Sequence, residues 1–299
     1  MDVNILYNVE HELPLGLLIA NYFYLTGLSA GSFILSTLAY GFGIEKYKPI
    51  GKVGVVLATV LLILAPINLF LDLEQPFRFW HLFLYLRITS PITWGSFLLT
   101  LYPLNCMIYG YFMFRGDAKK TKIFGLIGIP LALLVHGYTG FILALGKARV
   151  LWNTAIMPPI FLISAMVSGI ALMILVVVIK GYFFSDERKV DTALCTDLGK
   201  MLAWAIIVDL AFIATDILVL LTSHTEAYLA AMMLLKGSMS HLFIGVEVIL
   251  GSIVPLFFLL FPPTKKRLPF VVLSSILVMI GIFTMRYVMV MGGLNIPLS

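Results

Sequence analysis

Eight apolar runs dominate this chain, each about 20 residues long, the length a helix needs to cross the hydrocarbon of a bilayer. They cover roughly 14–42, 52–73, 91–114, 123–145, 156–182, 198–221, 239–261 and 269–291. In lipid every backbone N–H and C=O must be satisfied within the protein, which confines such runs to helices or closed barrels. None of them alternates apolar and polar residues as a barrel strand does. Charged residues are 12% of the chain, against about 25% in an ordinary soluble domain. The expected fold class is all-α integral membrane, with eight transmembrane helices. Glycine and proline inside the runs, as at Pro66 and Pro130, are tolerated where neighbouring helices satisfy the freed backbone groups.

Orientation follows from where lysine and arginine fall. Lys46, Lys48, Lys52, Arg115, Lys119, Lys120, Lys122, Lys180, Arg188, Lys189, Lys200, Lys265, Lys266 and Arg267 belong to one side. Arg78, Arg87, Lys147, Arg149, Lys236 and Arg286 belong to the other. The split of 14 against 6 places the four basic loops in the cytoplasm and both termini on the outer, periplasmic side. The net charge of +5 sits in short loops between spans and is not a nucleic-acid footprint. Two distant cysteines, Cys106 and Cys195, make no disulfide framework and no cluster-binding motif. Asp2, Glu10 and Glu12 precede the first run without any Lys or Arg, the wrong flank for a cleaved signal peptide. Leu13 onward therefore reads as a retained helix.

One stretch stands out from this background: Asp72–Gly95, which carries Asp72, Glu74, Arg78, His81, Arg87 and Ser90. Arg78, Trp80, Trp94 and their Phe and Tyr neighbours also have the composition of an interfacial belt. Other polar residues join it on the outer side: His11 and Glu12 before the first span, and Asn21 and Tyr22 in its outer third. His136 and Tyr138 lie in the outer third of the fourth span, and Lys147, Arg149, Trp152 and Asn153 in the next outer loop. The inner halves of these four helices offer little comparable polarity. Polar residues gathered at one depth are costly unless paired or wet, and so they mark a site.

The second half has buried charges of its own. Asp209 and Asp216 are seven residues apart and share a face of the sixth span. Glu247 lies within the seventh and Arg286 near the outer end of the eighth. An acid deep in lipid is expected to be neutral or paired. Arg286 with Asp216 or Glu247 reads as a structural ion pair, and the same residues read equally as a proton path. Two polar centres suggest two four-helix bundles side by side, residues 1–155 with the site and 156–299 without it. No sequence repeat relates them. The outer stretch Thr222–Ser238 suits a short surface helix.

A cluster near one surface suits a ligand that arrives sideways from lipid. A quinone fits, with its apolar tail, flat ring and two oxygens that need hydrogen bonds and protons. Phenol and imidazole groups bind such oxygens, and a carboxylate passes protons to water. Two other readings stay open. A haem-binding cytochrome b-type anchor would need two facing histidines, for which His136 and His241 are the pair on offer. A stand-alone small-solute transporter would place its binding groups nearer the midplane. No phosphate-binding loop is present.

Five segments together resemble the NrfD/PsrC family, the membrane subunits of polysulfide-reductase-like respiratory complexes. They are Tyr22-Phe-Tyr-Leu-Thr-Gly-Leu-Ser-Ala-Gly31, Asp72-Leu-Glu-Gln-Pro-Phe-Arg-Phe-Trp80, Thr89-Ser-Pro-Ile-Thr-Trp-Gly95, His136-Gly-Tyr-Thr-Gly-Phe141 and Leu151-Trp-Asn153. The resemblance covers about the first 170 residues in order, the second half agreeing in length and helix count alone. It implies eight helices in two four-helix bundles, with no haem or iron–sulfur cluster in this chain. It implies menaquinone or ubiquinone bound near the outer face, beside a ferredoxin-like [4Fe–4S] subunit and often a molybdopterin catalytic subunit. In the family's polysulfide reductase a tyrosine of the fourth helix and a histidine and asparagine of the first hold the quinone. Tyr138 matches that tyrosine; the family histidine falls on Tyr22, with Asn21 adjacent, so the head-group contacts must differ in detail.

The expected roles follow. Tyr138, Tyr22, Asn21, His136 and Asp72 bind quinone. Glu12, His81, Asp209, Asp216, Glu247 and Arg286 handle protons. Arg78, Arg87, Lys147, Arg149, Trp152 and Asn153 meet the iron–sulfur partner.

Overall fold

A computed structural model describes residues 15–73, 75–183 and 190–295. Eight helices among them are long and apolar enough to span a membrane. They are α1 (Leu17–Tyr40), α2 (Lys48–Asp72), α3 (Pro91–Arg115), α4 (Ala118–Ala144), α5 (Met157–Phe183), α6 (Thr192–Thr222), α7 (His241–Leu260) and α8 (Leu268–Asn295). A 3-10 turn, Glu45–Tyr47, leads into α2. No strand occurs among the described residues.

Several helices overrun their apolar cores at the end that carries the basic loops, here the basic end. There α6 begins six residues before the expected boundary, because Asp191 caps it, its side chain accepting from the Leu194 N–H at 2.9 Å. Likewise Asp117 caps α4 through the Lys120 N–H at 3.1 Å. A side-chain acceptor at this position satisfies a donor the helix itself cannot. Gly116, at φ 78°, takes the left-handed turn that closes α3 before that cap. At the opposite, far end lie the link from Asp72 to Pro91, the loop 145–156 and the short helix Thr225–Leu235. That helix confirms the surface helix expected between Thr222 and Ser238. It buries Ala227, Ala230, Ala231 and Leu234 and turns Tyr228 and Leu229 outward.

Packing makes two groups of four. In the first, α1 lies against α2 and α4, and α3 against α2 and α4; in the second, α5 lies against α6 and α8, and α7 against α6 and α8. The seam between them is made by α1 on α5, α4 on α5 and α1 on α8. The pattern maps onto itself when every helix number is raised by four, so α1 and α5 are the paired central helices. Their backbones meet at glycine: a Cβ on Gly31 would lie 2.5 Å from Ala165 O and 2.7 Å from Gly169 Cα. A second such crossing joins α7 and α8, where a Cβ on Gly251 would lie 2.5 Å from Gly281 Cα. Small residues at crossings let membrane helices gain close packing where no hydrophobic drive exists between them. Around the outside, large apolar side chains such as Leu71, Leu134, Trp204 and Leu218 are more than half exposed, as a lipid-facing surface requires.

α7 departs from the ordinary helix. From His241 to Ile253 it is a π-helix, returning to α geometry at Val254 just before Pro255. Long π-helical runs are rare and cluster at functional sites. Glu247 sits in the middle of this one.

Candidate functional site

Four helix ends converge at the far end of the first bundle. Tyr138 of α4 packs its ring and hydroxyl directly on Gly95 near the start of α3, where any side chain would collide with it. Tyr22 of α1 is buried and close enough to Tyr138 for the two phenols to interact. Asn21 is half-buried beside it. Asp72, the last residue of α2, turns its carboxylate to the Gly16 N–H at the mouth of α1. Next to this group an apolar cleft of about 350 Å³ opens toward lipid, lined by Leu69, Phe70, Leu73, Phe79, Leu82 and Leu99 among others. The aromatic link above it is strongly exposed, with Phe77 at 84% and Tyr85 at 76%. His81 lies between the rings of Trp80 and Tyr85, at centroid distances of 4.0 and 5.6 Å. Glu12 lies outside the described residues.

His136 does not belong to this group. It stands two residues from Tyr138, and at 100° per residue the two side chains leave α4 on nearly opposite sides. Tyr138 faces α3; His136 is fully buried against Gly27 of α1 and Phe161 of α5. Its Nε2 is held by the Phe161 carbonyl at 2.8 Å, which fixes the imidazole in the seam.

The seam is a second polar centre, built around Arg286. This arginine is fully buried. Its Nη2 donates to Ser164 Oγ at 2.6 Å and Phe161 O at 3.2 Å and lies 3.3 Å from His136 Nε2. Its guanidinium covers the Phe161 ring at 3.8 Å, a cation–π contact that strengthens out of water. The expected ion pair is not formed: among the described residues no carboxylate comes within 4.0 Å of Arg286. Asp209 and Glu247 lie near enough to feel its charge, whereas Asp216 accepts from Thr154 Oγ1 at 3.1 Å instead. Arg286 was aimed by its helix at α5, so Phe161 and Ser164, invisible as partners in the sequence, took the place of the acids. Among the described residues, Arg286 Nε and Nη1, Asp209 Oδ1, both Glu247 oxygens and His136 Nδ1 have no hydrogen-bond partner. Buried polar atoms in that state are ordinarily met by internal water. Tyr24 of α1 closes the group, its hydroxyl donating to Met279 O at 3.2 Å.

The loop after α4 is bolted to the second bundle. Trp152 Nε1 donates to Met289 O at 2.6 Å, and Arg149 Nη1 to Leu294 O at 3.2 Å. Both side chains are buried, at 3% and 8% exposure, which corrects their expected place on a partner-facing surface. Backbone turns from Gly146 to Thr154 roll them inward onto α8. Lys147, Asn153, Arg78 and Arg87 do remain exposed at this end.

The inner half of the first bundle is also more polar than expected. Ser29, Ser32, Ser36, Tyr102, Asn105 and Tyr109 are all buried there. Serine is nearly neutral in hydropathy and does not interrupt an apolar run, although the spacing of Ser29, Ser32 and Ser36 is helical. Among the described residues no three His, Cys, Asp or Glu side chains come together in a metal-binding group.

A helical membrane protein with these centres has clear relatives. The family model described as polysulphide reductase, NrfD, matches residues 6–297. The chain belongs to that family. It is 29% identical to the C subunit of selenate reductase from Mesobacillus selenatarsenatis, over 94% of this chain and 74% of that protein. It is 28% identical to the Hdr-like menaquinol oxidoreductase integral membrane subunit of Archaeoglobus fulgidus, over 98% and 74%. With the C subunit of polysulfide reductase from Wolinella succinogenes it shares 26% identity over 92% of each. It is a multi-pass integral membrane protein of a bacterial or archaeal membrane, and its relatives are membrane subunits of oxidoreductase complexes.

Proposed function

We propose that this chain is the quinone-reactive subunit of a respiratory oxidoreductase complex. It exchanges electrons between menaquinone or ubiquinone in the membrane and a [4Fe–4S] partner subunit docked at the far end, which lies on the outer face. The substrate chemistry takes place on a further subunit of the molybdopterin type. The observation that carries this reading is the pairing of the Tyr138 and Tyr22 phenols at the end of the first bundle where Asp72 meets Gly16 and where an apolar cleft opens between α2 and α3. The phenols and the amide hydrogen-bond the ring oxygens, and the cleft takes the tail. Asp72, with His81 and Glu12 toward the surface, passes protons to water. The menaquinol named for the Archaeoglobus relative supports the same class of ligand.

Seated at one end of the bundle, the ring is within electron-transfer reach of a partner covering that end. Arg78, Arg87, Lys147 and Asn153 form the exposed polar surface for it. The seam group of His136, Arg286, Asp209 and Glu247, extended by Asp216, serves proton movement coupled to turnover. Its unpaired buried atoms are the support for that role.

The test is the Tyr138→Phe variant in the intact complex, assayed with a short-chain naphthoquinol and a short-chain benzoquinol. Loss of a proton-donating contact to the reacting oxygen should lower turnover by roughly 100-fold, with the partner subunits still bound. Turnover at the wild-type rate would remove Tyr138 from the site.

A further inference from the structure

We propose that the first bundle carries its own proton route, a file of hydroxyl groups from the quinone site to the basic end, interrupted by one aromatic plug, Phe33. It rests on the quinone reading above. The file begins at Tyr22 and descends α1 through Thr26, Ser29, Ser32 and Ser36, with steps of three or four residues that keep one face. From Tyr22 to Ser36 it drops roughly 21 Å, most of the way across a hydrocarbon core of about 30 Å. Opposite it α3 supplies Tyr102, Cys106 and Tyr109, again on one face, and all three are fully buried.

Two groups of members meet, one at each half of the file. Ser36 Oγ donates to Gly51 O at 2.7 Å and lies 3.1 Å from Tyr109 Oη. Ser29 Oγ donates to Ala58 O at 2.7 Å, and the Tyr102 hydroxyl sits beside Ser29 and the Cys106 thiol. Some of these bonds are ordinary helix-to-helix glue. Two hydroxyls are not: among the described residues Ser32 Oγ is buried with no hydrogen-bond partner, and Tyr102 Oη, buried beside Ser29 and the Cys106 thiol, makes no well-aligned hydrogen bond. Several other buried hydroxyls turn back on their own helix, as Ser164 does to Ile160 O, Ser168 to Ser164 O, Ser275 to Val271 O and, within the file, Thr26 to Tyr22 O. An orphaned hydroxyl at that depth costs free energy unless water reaches it. Each hydroxyl both donates and accepts, which is what a relay through water needs.

Phe33 stands between the two halves of the file. Its ring meets Tyr102 edge-on at 5.6 Å and Tyr109 at 5.1 Å, and its far edge fills the notch at Gly128. Water can join Tyr102 to Tyr109 only if that ring swings. Quinone reduction takes two electrons from the iron–sulfur partner and two protons; the file brings protons from the basic end, as a second route beside the one through Asp72 to the far end. In quinol oxidation protons leave by the same two routes.

The test uses the intact complex in vesicles with a pH dye on one side, supplied with a short-chain naphthoquinol. In the wild type, protons should be exchanged on the side of the basic end. Tyr102→Phe and Ser32→Val should lower turnover by roughly tenfold or more with the quinol KM unchanged. Phe33→Ala should raise the resting proton leak. Radical footprinting of the wild type, which needs no variant, should label Tyr102 and Cys106 through water beside them. Proton exchange confined to the far end, or Tyr102 and Cys106 both unlabelled, would overturn the file while leaving quinol turnover intact. A wild-type complex inert to both quinols would instead sink the quinone reading, and the file with it.

Discussion

Replacing Gly31 by alanine adds one methyl group where α1 and α5 cross. That methyl would start 2.5 Å from Ala165 O and 2.7 Å from Gly169 Cα. Non-bonded carbons prefer about 3.5–4.0 Å, so the two helices must part by roughly 1 Å. Both obstacles are backbone, and no rotamer change makes room. Overpacking of this kind costs about 1–3 kcal/mol, offset in part by roughly 1 kcal/mol that alanine contributes over glycine within a helix. Gly137→Ala is the matched control. Its nearest neighbours are Leu162 atoms at 3.7–3.9 Å, an ordinary contact, so only the stabilising helix term applies. The two variants should therefore differ by about 1–3 kcal/mol, or about 2–10 °C in Tm. Cys106 and Cys195 are both free and buried, so a thiol-reactive dye reports unfolding in detergent without added labels. A Gly31→Ala protein as stable as Gly137→Ala would refute the close crossing and the central place given to α1 and α5.

Three further outcomes follow. Arg286→Met should leave the complex assembled while lowering proton-coupled turnover by roughly tenfold or more, measured by steady-state kinetics with each quinol; unchanged kinetics would make the seam group purely structural. The double variant Arg87→Glu, Lys147→Glu should shed the iron–sulfur partner on purification, whereas Arg149→Glu should lower Tm instead, because Arg149 faces Leu294 rather than the surface; an Arg149→Glu protein with wild-type Tm that loses its partner would reverse that assignment.

The eight spans were legible because lipid imposes one rule on every residue of a run, and hydropathy reads it directly. The helix ends were less so. Asp191 and Asp117 extend α6 and α4 beyond their apolar cores, and a cap is a local signal that hydropathy ignores. Tyr138, Tyr22 and Asp72 could be gathered into one candidate because polarity at one depth is visible in one dimension. The neighbours of Arg286 were not, since Phe161 and Ser164 lie more than 120 residues away and Phe161 contributes a carbonyl and a ring rather than a charge. The π-helix around Glu247 has no signature in its residues, which would suit an α-helix equally well. Arg149 and Trp152 were misplaced because a loop residue is by default a surface residue, and here α8 covers the loop.

That bolt also has a meaning in time. Trp152 waits for an acceptor 137 residues further along the sequence, and Arg149 for one 145 residues further. At about 5–20 residues per second, the ribosome needs roughly 7–30 s to make them. Until then the loop beside the first bundle has nothing to close upon, although that bundle is already in the membrane. A partner that recognises the closed loop therefore binds finished chains and passes over truncated ones. The loop at the far end of the first bundle thus closes only after α8 has been synthesised.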